Sequence, residues 1–163
     1  MKIKRFMTMM VVATAFVIGM SSCSSDDDEP EVAVAEQVAG SYSGNEIVMV
    51  MGDESSNETK TYVLAKASDT SIDITVPEMG MGGMMTIPAL PVKGITLTKS
   101  GNTITGKLTS YTGTLTSADG TEKVYTVSDV TVLFSEKTVV AKFSMKYGNM
   151  PFAFEGQFTG YKE

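Results

Sequence analysis

Histidine and tryptophan are absent from the 163 residues, and cysteine occurs once, at Cys23. Without histidine no Ser-His-Asp or Cys-His relay can be assembled, and the usual nitrogen and thiolate ligands of zinc are missing. A single cysteine closes no internal disulfide, so the fold must rest on its hydrophobic core. Positive charge is scarce as well. Apart from Lys2, Lys4 and Arg5, only 10 bases stand against 19 acids, a net charge of −9. No basic patch is available for phosphates, and nucleic acid is not expected as a partner. No cofactor and no enzymatic activity are expected either. The carboxylates that cluster in sequence are Asp69, Asp73 and Glu78. They would need a raised pKa for acid–base work, and the alternation Ile72-Asp73-Ile74 places Asp73 on a solvated strand face.

Long apolar runs are equally few. The uncharged stretch from Phe6 to Met20 would rise only about 22 Å as a helix, whereas a membrane span needs about 20 residues. A basic start, a short apolar run and the small pair Ser21-Ser22 describe a cleavable signal peptide over residues 1–22. Ser21-Ser22-Cys23 resembles a bacterial lipobox, whose cysteine is acylated and becomes the first residue of the mature chain. Acyl chains contribute about 0.8 kcal/mol per buried methylene, and two or more anchor stably. Ser25, Asp26, Asp27, Asp28 and Glu29 are physically a solvated spacer. Beside such a cysteine they also resemble the surface-export signal of Bacteroides-type lipoproteins. The resemblance implies a protein held in the outer membrane by its lipid and facing the cell exterior. Residues 23–37 are then an acylated, acidic, flexible tether. Its last part, 30–38, is long enough for one or two helical turns that could plug one end of the domain.

From residue 39 the pattern is strand after strand, rich in Thr, Val, Ile and aromatics and punctuated by Gly, Asn, Asp and Ser. Val139, Ala141, Phe143, Met145 and Tyr147 share one face of a strand. Phe152, Phe154, Gly156 and Phe158 share one face of the next, after the turn Gly148-Asn149-Met150-Pro151. The same reading gives strands near 41–51, 59–67, 70–76, 92–99, 103–109 and 123–134, with 111–116 either continuing or pairing again. Short links favour an all-β, antiparallel up-and-down barrel of about eight strands over residues 38–163, since closure removes the exposed edges. A β-sandwich is the alternative. An eight-stranded barrel holds either packed side chains or one small ligand.

Ala39-Gly40-Ser41-Tyr42-Ser43-Gly44 resembles the first strand of calycin-like, lipocalin-like barrels. Phe152-Ala153-Phe154-Glu155-Gly156-Gln157-Phe158 is similar to the last strand of Bacteroides-type lipoproteins of that family. The resemblance implies a small lipid-anchored barrel. Two functions follow as expectations: capture of a small apolar or amphipathic ligand, or a protein–protein or structural role with a filled barrel. The residues that bear on the first are Met79, Met81, Met84 and Met85, four methionines spaced by glycines. Methionine is an adaptable apolar surface at promiscuous sites, and clustered thioethers can also bind Cu(I). The bland reading is a loop packed over one end of the barrel.

Overall fold

The computed structural model describes residues 31–81, 85–116 and 120–163. The signal segment, Cys23, the acidic residues Ser25 to Glu29, Met84 and the turn at 118–119 lie outside them. Among the described residues one helical turn, α1 (Val34–Val38), precedes ten strands. They are β1 (Gly40–Val50), β2 (Asp53–Ser68), β3 (Ser71–Val76), β4 (Met79–Gly80), β5 (Thr86–Ile87), β6 (Leu90–Ser100), β7 (Thr103–Thr116), β8 (Glu122–Ser135), β9 (Thr138–Tyr147) and β10 (Phe154–Lys162). Eight of them close a barrel in the order β1-β10-β9-β8-β7-β6-β3-β2, while β4 and β5 pair only with each other. Each barrel strand runs antiparallel to its neighbours, and β1 is hydrogen-bonded to both β2 and β10. That closing pair makes the architecture an up-and-down barrel and not a sandwich.

Alternation places the core. On β9, Val139, Ala141, Phe143, Met145 and Tyr147 are all buried, while Lys142 and Lys146 are exposed. Where alternation is weak, the strands run differently from the sequence expectation. β2 starts at Asp53 and not near 59, because the polar stretch is held by its ladder to β1 through the two-residue turn Met51-Gly52. Both turn residues have positive φ, 53° and 92°, as the hairpin twist requires. Of the two alternatives for 111–116, the structure takes the first: residues 103–116 form one strand that β8 follows in unbroken register, and the bulge at Asp129, with φ 54°, falls in the ladder from β8 to β9.

The two ends of the barrel differ. At one end β1 begins, β10 finishes and α1 packs. Ala35 donates its N–H to the Asp69 carbonyl at 3.1 Å, and the Tyr42 hydroxyl donates to the Val38 carbonyl at 2.9 Å. Ala35 and Val38 are buried, so residues 34–37, grouped with the tether on sequence grounds, are folded. A helix this short is marginal alone and is held here by tertiary packing. The opposite end carries the Met51-Gly52 turn, the 77–89 loop and the connections after β7 and β9.

Inside, aromatic rings lie across glycines. A β-carbon at Gly156 would overlap the Phe143 ring, one at Gly160 the Phe158 ring, and one at Gly113 the Tyr125 ring. Phe158 also stacks on Tyr62, with centroids 4.1 Å apart. Beyond Lys107 the β6–β7 ladder stops, and Tyr125 spans the split by donating its hydroxyl to the Pro91 carbonyl at 2.6 Å. Burial, reinforced by Tyr111, pushes the Tyr125 hydroxyl up to about 12, so it remains a donor at any physiological pH.

Candidate functional site

The lumen is the first place to look for a site, and it is full. Among residues such as Tyr62, Ile74, Val92, Val130, Ala141 and Phe143 it leaves a void of about 10 Å³, at most room for one water. Only apolar atoms line it, so the void offers a water no partners.

The four methionines part company in the structure. Met79 and Met81 are buried, 0% and 4% exposed, and with Ile87 they belong to the same hydrophobic cluster as the lumen side chains. The β4–β5 pair and a hydrogen bond from the Met81 N–H to the Met85 carbonyl at 2.9 Å hold the loop that carries them. Met85 is half-buried. It faces an open groove of about 520 Å³ together with Lys123, Val124, Tyr147 and Met150. Met150 and Val124 were missed by sequence reasoning, because nothing local links the 147–150 turn to the methionine loop. Val124 is 52% exposed, and the Lys123 ammonium lies 5.9 Å from the Tyr147 ring centroid. The groove therefore has an apolar floor with a cation at its side.

The clustered carboxylates do not converge. Asp69 pairs with Lys66 at 2.9 Å in the turn beside α1. Asp73 accepts the Gly94 N–H at 2.9 Å. Glu78 is exposed beyond the far end of β3. Among the described residues no three His, Cys, Asp or Glu side chains are grouped to hold a metal.

A different carboxylate stands out. Glu46, on β1, is 1% exposed and is the one buried charged or polar side chain among the described residues. Its Oε2 accepts the Tyr62 hydroxyl at 2.5 Å, while Oε1 has no partner. A buried acceptor left unpaired costs about 1–3 kcal/mol. Burial raises the Glu46 carboxyl above its ordinary range, opposed by the Tyr62 hydrogen bond and the Lys60 charge. Burial, with Glu46 beside it, raises the Tyr62 hydroxyl well above its own. The signal was present in the sequence: counting by twos from the buried Tyr42 puts Gly44, Glu46 and Val48 on the inner face.

The comparisons with known proteins bear on this geometry. The family described as "Calycin-like beta-barrel domain" matches residues 38–161. The chain belongs to the calycin-like β-barrel family. Its fold is also similar to that in the crystal structure of a "putative outer membrane protein" from Bacteroides fragilis. The TM-score is 0.62 at 18% identity, over 80% of this chain and 53% of that one. This chain thus spans about half the length of that protein, and the likeness is one of fold. No curated protein matches the sequence.

Proposed function

We propose that this calycin-like protein is a lipid-anchored outer membrane protein, displayed on the cell exterior, whose filled barrel is a rigid scaffold presenting its loop end to a protein partner. The observation that carries the scaffold reading is the packed lumen, which leaves only about 10 Å³. The anchor reading rests on Cys23 at the end of an apolar run, and the exterior reading on Ser25 to Glu29 behind it. The chain reaches the barrel at the α1 end. The end of the barrel opposite α1 carries Met51, 81% exposed. Cys23→Ser is expected to move the protein from the membrane fraction to the soluble one. Retention after a high-salt wash would remove the anchor from the proposal.

The mouth groove favours a second reading, capture of a small apolar or amphipathic ligand between Met85 and Met150, with the methionine loop as its lid. A hydrophobic probe dye titrated into the soluble Cys23→Ser chain separates the two. The scaffold reading expects no saturable uptake. The ligand reading expects saturable uptake that Met85→Ser with Met150→Ser weakens at least tenfold, about 1.4 kcal/mol, without moving the melting temperature more than a few degrees.

A further inference from the structure

Two carboxylates flank one ammonium on the β1–β2 hairpin. Glu46 stands directly opposite Glu58 in the ladder, and Lys60 is the next inward-facing residue along β2. At this diagonal offset long side chains reach one another. Lys60 at present holds Glu58, with Nζ 2.8 Å from Oε2, and its side chain is 20% exposed against 51% for Glu58. The free Oε1 of Glu46 is an acceptor within the same neighbourhood. The other elements packed around Glu46 contribute no charge. β10 places Phe158 opposite it, and Tyr62 offers a hydroxyl that is already engaged. The Lys60 stem also has room to swing, because β3 pairs with β2 only from Val63 onward and leaves the Lys60 segment without a strand on that side.

We propose that Lys60 is a two-position cation: it holds Glu58 while Glu46 is protonated, and crosses to the free Oε1 of Glu46 once that carboxyl releases its proton to solvent. The exchange trades an exposed ion pair for a buried one and fills the unmet acceptor with a charged donor. It links protonation inside the barrel to the freedom of the exposed Glu58. The Lys60 charge already favours the ionised form of Glu46, against the larger opposing effect of burial.

The direction of the pH dependence follows. Glu46 keeps its proton to higher pH in the folded chain than in the unfolded one. Its contribution to stability is therefore fully present below the ordinary carboxylate pKa and is lost as pH rises through its raised folded value. Carboxyl carbon chemical shifts of the full chain, followed by NMR against pH, provide the test. Glu46 should titrate above the ordinary carboxylate range, and the Glu58 carboxyl signal should move at the Glu46 midpoint as Lys60 leaves it. Glu58→Gln, which frees Lys60, should lower the Glu46 midpoint by about one pH unit, and Lys60→Met should raise it. Glu46→Gln should erase that movement of the Glu58 signal. A Glu58 signal that stays still at the Glu46 midpoint, or a Glu46 midpoint indifferent to Glu58→Gln, would overturn the exchange. Both substituted positions on β2 are partly exposed, so these variants test the exchange without removing a core side chain.

Discussion

Phe158→Ala is expected to lower the unfolding free energy by about 3–5 kcal/mol, the usual range for deleting a buried aromatic ring. The ring is 1% exposed and lies on the lumen side of β10. Deletion removes its stack on Tyr62, 4.1 Å between centroids, worth about 0.5–1.5 kcal/mol beyond area alone. The void cannot collapse easily, because Gly160 beside it has no side chain to move in and the closed ladder restrains the backbone. Urea unfolding followed by circular dichroism measures the change. An unaltered m-value with a lower midpoint would identify a pure stability loss. A loss below about 1 kcal/mol would mean that the ring does not fill the lumen as described.

Gly156→Ala should destabilise by about 1–3 kcal/mol, which is large for one added methyl group. The added carbon would lie inside the ring of Phe143, itself buried on β9 opposite Gly156 in the ladder. The ring is buried, and the glycine is held by ladder pairing on both sides. A double-mutant cycle makes the cause explicit. In a Phe143→Ala background the added methyl group should cost far less and could partly fill the cavity, a strong departure from additivity. Equal costs in the two backgrounds would place the clash elsewhere. The cycle also bears on the lumen as a scaffold, since the same ring–glycine contacts leave it without ligand space.

Much of this protein was legible in one dimension. Strict alternation at Val139 to Tyr147, at Ile72-Ile74-Val76 and at Phe154 to Phe158 sorted inner from outer residues before any contact was known. Two-residue periodicity is a property of the strand itself. Short turns such as Ser100-Gly101-Asn102 made neighbouring strands antiparallel and favoured a closed barrel, while the pairing of β1 with β10 decided it against a sandwich. The absence of histidine bounded the chemistry. The start of β2 was hidden because Asp53 to Thr61 is polar on both faces, and its pairing is set by the ladder alone. Three matters were decided only in three dimensions. Whether the lumen was open depended on Phe143 meeting Gly156 and Phe158 meeting Gly160, contacts between and within strands whose register no local pattern specifies. Met79 and Met81 became core while Met85 joined Met150 at the mouth, because burial is set by what the loop lands on and not by the residue type. Glu46 acquired its character in the same way. Its position faced inward by simple counting, but its unmet oxygen, its bond to Tyr62 and its competition with Glu58 for Lys60 exist only where β1, β2 and β10 meet.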